Sequence, residues 1–468
     1  MLTPLRGQRG SLAAACLLLA LAVLLGGGTR QGLAADPLLQ LLSLPLLWLA
    51  LVRLHPAAFD QGTRLALAWS LLMIGWVALQ LLPLPPALWL RLPQRAAIAA
   101  DLASAGVAIG WRPISVDAIA TLRAALAWLP PLALALAVLG LDTRSRVRVA
   151  QAMLLISVLA VLIGFAQLSG GQHSPLRWHA YTNTLEAVGP FANRNHFASL
   201  LALALPLATA WIISATRPRP QQMAVLAYNA RLGVAITILV LLLVGIAVSR
   251  SRAGLILAGI AVVLSAALAW RTRQESPSRA RAPGARRWLA LAGLLGLVFG
   301  IQYGLVGLLD RARQDPFADM RWQIAANTLR TARTLAPAGA GAGTFTLAYV
   351  QFEPAEQRNE FFVNRAHNDW AEWLLEGGVP TLLLLFAALL LLMRATVAAW
   401  RSQGEYAPWR RAAAFSVWLV LLHSLVDYPL RTTAIATVTA LLLAITFAAR
   451  RGHGRTEPDA LAASDGGR

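Results

Sequence analysis

Residues 365–378 read RAHNDWAEWLLEGG, and residues 379–393 read VPTLLLLFAALLLLM. The first segment is polar and aromatic, whereas the second is apolar enough to enter a membrane. In the first segment, Trp370, Trp373 and Leu374 occupy the i, i+3 and i+4 positions of an amphipathic helix. The two glycines at its end predict a break in that helix. We therefore predict a helix on the membrane surface that turns into one that crosses the membrane.

The composition is that of a polytopic membrane protein. Apolar residues make up 57% of the 468 residues and charged residues only 13%, and the apolar residues come in blocks. All 41 basic residues are arginine and the net charge is +20, but no polar domain concentrates that charge. Membrane lipids are therefore expected partners, and nucleic acid is not. The single cysteine, Cys16, excludes a disulfide within the chain and a cysteine metal site.

Twelve apolar runs predict an all-α fold with about twelve transmembrane helices. They lie near residues 11–28, 37–54, 64–83, 119–140, 147–169, 195–213, 231–248, 253–270, 287–308, 379–400, 411–430 and 432–449. For the first run, an uncleaved anchor is favoured over a secretory signal. The predicted divisions are spans 1–9 in residues 1–308, a long outer loop with short helices in 309–378, spans 10–12 in 379–450 and a disordered cytoplasmic tail in 451–468.

The placement of arginine predicts the orientation of these spans. With the N-terminus in the cytoplasm, the cytoplasmic segments hold 24 arginines against 7 acidic residues, and the opposite side holds 17 against 14. An excess of arginine marks the cytoplasmic side. Polar segments near 84–118, 170–194 and 309–378 then lie on the outer face. In a Gram-negative cell this multi-pass protein would lie in the bacterial inner membrane with its outer face in the periplasm, and any active site is expected on that face.

Three residues of this outer face are candidates for chemistry on a phosphate. His367 precedes the predicted surface helix, whose N-terminal end favours an anion and disfavours an imidazolium. It is therefore placed to be a neutral base beside a phosphate. Arg250 and Arg252 follow an apolar run on the side where arginine should be scarce. They either reach out to lipid headgroups or bind two phosphate oxygens through the guanidinium fork.

Two further outer segments carry polar side chains. Residues 189–197 read GPFANRNHF at the mouth of the sixth predicted span. Helix capping is the favoured role of the two asparagines, whereas Arg194 and His196 are expected to line a site for a glycan or a phosphate. Arg321 begins a predicted amphipathic helix, and the residues alone leave open whether it contacts an anion.

Two other motifs have both a structural and a functional interpretation. Residues 337–345 read PAGAGAGTF but lack the Gly-Lys-Ser/Thr ending of a phosphate-binding loop. A flexible turn is favoured over a close approach of the backbone to a ligand. His423 and Asp427 are four residues apart and share one helix face. A mutually satisfied structural pair is favoured over a catalytic pair.

Taken together, these motifs resemble the O-antigen ligase and polymerase superfamily of membrane glycosyltransferases. The matching elements are residues 189–198 entering a span, Ser251-Arg252-Ala253-Gly254 opening another, Arg321-Trp322 with residues 337–341 in the long loop, and the central motif of His367-Asn368, Gly378 and Thr381. In the family, this motif is His followed by Asn, Ser or Gln, then nine residues, a glycine, two more residues, and finally Gly, Thr or Tyr.

The resemblance implies a glycan donor on undecaprenyl diphosphate, used at the periplasmic face without a metal or another cofactor. It implies catalytic roles for His367 and Arg252. The residues expected to bind substrate are Arg194, Arg250, Arg321, His196, Asn368 and Asp369. The arginines would neutralise the leaving diphosphate, and His367 would deprotonate the acceptor hydroxyl or orient the diphosphate.

The acceptor distinguishes the activities within this family. A ligase of the O-antigen type uses lipid A–core oligosaccharide, which is the acceptor we expect. The alternative within the family is a polymerase, which extends a growing polysaccharide, and a protein oligosaccharyltransferase would use a serine. The alternative from another class is a transporter or flippase of lipid-linked glycans. The ionisable residues gather at the outer mouth rather than at the membrane midplane, which argues against transport.

Overall fold

The computed structural model describes residues 4–30, 32–55, 59–179, 182–216, 225–275, 317–358 and 362–448. Within these ranges the chain is mostly helical, with almost no strand. The helices are α1 (Pro4–Leu25), α2 (Ala35–Arg53), α3 (Gln61–Leu79), α4 (Pro86–Trp89), α5 (Arg95–Ser104), α6 (Ala118–Leu126), α7 (Leu129–Gly140), α8 (Thr143–Ser169), α9 (Arg194–Ala215), α10 (Val225–Ser249), α11 (Arg252–Gln274), α12 (Phe317–Thr334), α13 (Phe345–Phe352), α14 (Asp369–Arg401), α15 (Ala407–His423) and α16 (Thr433–Phe447). Strands β1 (Pro83–Leu84) and β2 (Arg112–Pro113) pair antiparallel.

Nine segments of the described ranges are long and apolar enough to cross a membrane. They are Gln8–Leu25, Ala35–Arg53, Gln61–Leu79, Ala118–Gly140, Thr143–Ser169, Arg194–Ala215, Ala227–Ser249, Arg252–Gln274 and Asp369–Arg401. The prediction of a largely helical, multi-pass membrane protein is therefore confirmed.

Twelve spans were predicted and nine are found in the described ranges, and two causes account for the difference. The run at 287–308 lies outside the described residues, as does the predicted tail at 451–468. The last two predicted spans form shorter helices, because α15 has 17 residues and α16 has 15. The run expected to reach residue 430 stops being α-helical after His423, and a turn and a short 3₁₀ helix follow it.

Helix α9 lies at the centre of the bundle. Of its spanning segment 83% is buried, and α9 contacts α8, α10, α11 and α15. Its cap is Asn193, whose side chain accepts a hydrogen bond from the N–H of Asn195, as the sequence predicted for one of the two asparagines. Because α9 is held on all sides, the side chains of its first turns have fixed positions.

The helix predicted to lie on the membrane surface, residues 369–376, packs with its acidic face inside the protein. It forms the first part of α14, and its acidic residues Asp369, Glu372 and Glu376 are buried. Trp370 and Trp373, which were expected to face the membrane, are only half-buried. The apolar periodicity does not predict this packing, because the acidic face is matched by Arg431, which lies in another segment.

Helix α14 bends at Gly378, where φ is 61° and ψ is −155°, so the predicted break is present. The glycine-rich segment 337–344 packs into this bend. The N–H of Val379 donates to the carbonyl of Pro337 at 2.9 Å, and the N–H of Gly341 donates to the carbonyl of Glu376 at 2.8 Å. The segment is thus held by hydrogen bonds to α14, whereas a flexible turn was predicted. Its glycines permit the close approach to another backbone.

The polar segments meet at one end of the bundle, which we call the site end. It contains the beginnings of α9, α11 and α14, the segment 424–432 and the glycine-rich segment. These are joined by hydrogen bonds such as that from Asn195 to Asp427. At the other end, Arg411 forms an ion pair with Glu275. The outer segments predicted from the sequence are therefore neighbours in space.

Candidate active site

Asp427 is the centre of the site, and its carboxylate is completely buried. Its Oδ2 accepts a hydrogen bond from Asn195 Nδ2 at 2.7 Å, and its Oδ1 accepts one from the N–H of Tyr428 at 2.9 Å. Asn195 in turn accepts a hydrogen bond from Ser251 Oγ at 2.8 Å through its Oδ1. Segments that are distant in the sequence, the beginnings of α9 and α11 and the turn after α15, therefore converge on one carboxylate.

Three imidazole rings surround this carboxylate. Nδ1 of His367 lies 3.5 Å from Asp427 Oδ1, and Nε2 of His196 lies 3.9 Å from the same oxygen. Nε2 of His423 lies 3.9 Å from Oδ2. Burial opposes ionisation of Asp427, but His196 and His367 hold its pKa well below the usual range. The centre therefore carries a fixed negative charge.

His367 is the most accessible of the three histidines, with 20% of its side chain exposed. Its backbone is in the left-handed region, with φ 50°, immediately before the cap of α14. The ring packs edge-on against Tyr428, whose ring also meets His196 edge-on, at centroid distances of 5.0 Å and 4.9 Å. The ring of His367 is thus fixed by an aromatic contact and by a carboxylate at the same time.

Asn368 and Asp369, which we predicted to bind substrate, make contacts within the protein. Asn368 caps α14, because its Oδ1 accepts from the N–H of Ala371 at 3.0 Å. Its Nδ2 donates to the carbonyl of Leu425 at 2.9 Å. Asp369 is fully buried and accepts from Ser424 Oγ at 2.8 Å. Both residues therefore hold the turn that contains Asp427.

His196 is also fully buried, so the structure brings it to Asp427 rather than to a surface that a substrate reaches. Neither ring nitrogen has a hydrogen-bond partner within the described residues. His196 follows Arg194 at the start of α9, where the sequence predicted a polar lining. His196 therefore lies at the start of α9, as the sequence indicates, and its contact there is with the carboxylate of Asp427.

The arginines differ in the charges around them. Arg194 Nη1 lies 2.6 Å from Glu186 Oε1, so a carboxylate already neutralises this guanidinium. Arg252 and Arg321 form no ion pair with any residue in the described ranges. Both are half-buried, and Nη2 of Arg252 is buried without a hydrogen-bond partner in those ranges. These two side chains therefore have positive charge available for an anion.

Both of these arginines belong to the site end. Arg252 is the first residue of α11 and directly follows Ser251, whose hydroxyl caps the helix and contacts Asn195. Arg321 lies close enough to Tyr428 for its charge to act there. Burial and the charge of Asp427 raise the pKa of Tyr428 to about 12, against the opposing charges of Arg365 and Arg321.

Arg250 lies in the short turn between α10 and α11. Its backbone is left-handed, with φ 51°, and its side chain is half-buried. It stands two residues before Arg252, so both arginines of the repeated Ser-Arg pair occur at the site end.

Comparison with known proteins gives one result that bears on the function. Residues 237–386 match the family model described as O-antigen ligase. This match, which covers about a third of the chain, supports the O-antigen ligase superfamily. No curated protein matches the chain. The predicted family is therefore confirmed, and it indicates a membrane glycosyltransferase of the O-antigen ligase or polymerase type.

The O-antigen ligase match covers only part of the site. It begins within α10 and ends within α14, so it includes Arg252, Arg321 and His367. Asn195 and Asp427 lie outside it. The contact between His367 and Asp427 thus joins the matched segment to a part of the chain that the match does not reach.

The structure also corrects the interpretation of His423 and Asp427 as a mutually satisfied pair. The helix ends at His423, and the two side chains remain 3.9 Å apart. Nδ1 of His423 instead forms a hydrogen bond of 2.6 Å with Ser199 Oγ. The i, i+4 spacing identified two residues of the site, but only the tertiary structure shows Asn195, Ser199 and Tyr428 as their partners.

Proposed function

We propose that this O-antigen ligase family member transfers a glycan from undecaprenyl diphosphate to lipid A–core oligosaccharide at the periplasmic face of a bacterial inner membrane. The observation that supports the proposal best is the position of His367 against the buried carboxylate of Asp427. Arg252 and Arg321 add two guanidinium groups without acidic partners, within the described residues, at the same end of the bundle. A general base beside free positive charge suits the departure of a diphosphate.

The geometry favours His367 as the general base. Because Nδ1 faces Asp427 Oδ1 at 3.5 Å, Nε2 is the ring nitrogen left for the acceptor. The carboxylate favours the tautomer with the proton on Nδ1 and stabilises the imidazolium that forms when Nε2 takes a second proton. General base catalysis of this kind contributes roughly 10²–10⁴-fold to a rate.

The bond changes of the transfer follow from this assignment. The acceptor hydroxyl oxygen attacks the anomeric carbon of the donor, and its proton passes to His367 Nε2. The bond between the anomeric carbon and the diphosphate oxygen breaks, and its electron pair stays on that oxygen. Undecaprenyl diphosphate leaves, and the proton on His367 is then released to the diphosphate or to solvent.

Arg252 and Arg321 are the groups we assign to the leaving diphosphate. A guanidinium binds two phosphate oxygens and remains charged at any working pH, so it stabilises negative charge as it develops. Arg194 is less suited to this role, because Glu186 lies 2.6 Å from it. A diphosphate held by Arg194 would have to compete with that carboxylate.

Reconstitution in proteoliposomes tests the proposal and separates its alternatives. The purified protein is supplied with undecaprenyl-diphosphate glycan and with lipid A–core oligosaccharide. We expect free undecaprenyl diphosphate and glycosylated lipid A–core as products. A longer glycan that remains on undecaprenyl diphosphate would instead identify a polymerase. Movement of intact donor across the bilayer without release of diphosphate would contradict glycosyl transfer and indicate a transporter.

A further inference from the structure

A second buried group of charges lies behind the His367–Asp427 pair. Asp369, Glu372 and Glu376 project from one face of α14, and their exposed fractions are 0%, 0% and 3%. Arg431, from the 3₁₀ helix Pro429–Arg431, contacts all three. We call these four residues the buried ion cluster. No step of the proposed transfer uses it.

Arg431 holds this cluster together. Its Nε lies 3.5 Å from Asp369 Oδ1 and 3.4 Å from Glu372 Oε1, and its Nη1 lies 2.7 Å from Glu376 Oε2. Three carboxylates on one helix face repel one another, and each loses its hydration on burial. Burial lowers the pKa of Arg431, but the three carboxylates raise it above its usual range. Arg431 is thus the cation that all three carboxylates share.

Glu372 connects the cluster to the residue before the general base. Its Oε2 accepts a hydrogen bond from the N–H of Ala366 at 2.9 Å, and its Oε1 lies 2.9 Å from Nη1 of Arg365. These are the two residues that precede His367 in the chain. Arg431 connects the other side, because it follows Asp427 by four residues in the same short turn.

From these contacts we infer that the bridge from Glu372 to Arg431 is a positioning device that sets the distance between His367 and Asp427. The inference rests on the proposed glycosyl transfer. The backbone of His367 is left-handed, a conformation that persists in a bulky residue only when its surroundings hold it. Glu372 and Arg431 supply that hold on both sides of the pair.

Glu376 provides a matched control within the same helix. Like Glu372, it is buried, contacts Arg431 and accepts one backbone hydrogen bond, from the N–H of Phe345 at 3.3 Å. That amide begins α13 and is not next to His367. Glu372→Gln and Glu376→Gln therefore remove the same charge from the same cluster, but only the first loosens the segment that carries His367.

The test compares kcat, KM for the donor and thermal unfolding of the purified variants in proteoliposomes. We expect Glu372→Gln to lower kcat by about 10²-fold, because a misplacement of about 1 Å costs that much. Its KM for the donor should stay within a few fold, since Arg252 and Arg321 are unchanged. Glu376→Gln should keep most of its kcat even where its unfolding temperature falls as far.

Arg431→Lys, measured alongside, keeps the charge balance but lacks the planar guanidinium whose Nε and Nη1 face different carboxylates, so it should lose kcat in the same way. Equal losses in Glu372→Gln and Glu376→Gln, in proportion to lost thermal stability, would overturn the inference. Near wild-type kcat in both Glu372→Gln and Arg431→Lys would also overturn it. Transfer by His367→Asn and Asp427→Asn at wild-type rates would instead reject the proposed function, and so the two failures are distinguishable.

Discussion

His367 Nδ1 and Asp427 Oδ1 lie 3.5 Å apart, although the first residue precedes α14 and the second follows α15. The carboxylate is buried and ionised, whereas the imidazole is partly exposed. His367, the proposed base that must reach the substrate, therefore has a fixed and buried partner in Asp427. This relationship carries our proposal for the reaction.

Replacing Asp427 by asparagine should reduce transfer without removing the side chain from its place. An amide cannot stabilise an imidazolium as a carboxylate does, so we expect kcat to fall by roughly 10²–10⁴-fold. Transfer rates of purified protein in proteoliposomes measure this. Asp117→Asn is the control, because Asp117 only caps α6 and asparagine caps equally well. A fully active Asp427→Asn variant would remove the carboxylate from the mechanism.

Arg252→Lys separates phosphate binding from a contact with lipid headgroups. Lysine keeps the charge and the reach to the membrane surface but lacks the planar fork. Loss of one such contact costs on the order of 2–4 kcal/mol in the transition state, or about thirty- to a thousandfold in rate. Transfer assays should show this loss for Arg252→Lys and a much smaller one for Arg250→Lys. The reverse order would assign the role to Arg250.

Gly378→Ala should destabilise the protein strongly. The new Cβ would lie 2.1 Å from the carbonyl oxygen of Pro337, and the backbone there has φ 61°. Left-handed backbone alone costs a residue with a side chain about 1–3 kcal/mol, and the clash adds to this. Thermal unfolding in detergent should show a clear decrease. Gly259→Ala in α11, with nothing within 4 Å of its Cβ, should show little change.

Cysteine labelling tests the proposed orientation. With Cys16 replaced by serine, single cysteines at Ser104 and Thr184 belong to the site end, and one at Gln403 belongs to the opposite end; all three positions are exposed. An impermeant thiol reagent should label the first two in cells with a permeabilised outer membrane. Gln403→Cys should react only after the inner membrane is opened. The opposite pattern would place the site end in the cytoplasm.

The membrane architecture was predictable from the sequence because it depends on local properties. Whether a run of apolar residues can cross a bilayer depends on the length of that run and not on its neighbours in the fold. Helix ends were predictable in part for the same reason, and Asn193 caps α9 as expected. The burial of residues 369–376 was not, because the acidic face of that helix is compensated by Arg431, which is distant in the sequence.

Some residues of the candidate site were likewise predictable from local sequence, whereas the contacts between them were not. His367 and Arg252 stood out because each lies within a short motif whose spacing resembles the family pattern. The convergence of Asn195 and Ser251 on Asp427 involves three separate segments, and no local spacing encodes it. The position of Asp369 near the site was likewise predictable, but its contact with Ser424 was not.

The most direct test of the account is the release of free undecaprenyl diphosphate by purified variants of His367 in proteoliposomes. His367→Asn is preferable to His367→Ala, since asparagine tolerates the left-handed backbone. The control is His179→Ala, which removes a half-buried histidine that faces the carbonyl of Pro190. We predict that His367→Asn loses release by at least about 10²-fold and that His179→Ala keeps it. Release by His367→Asn at the wild-type rate would contradict the account.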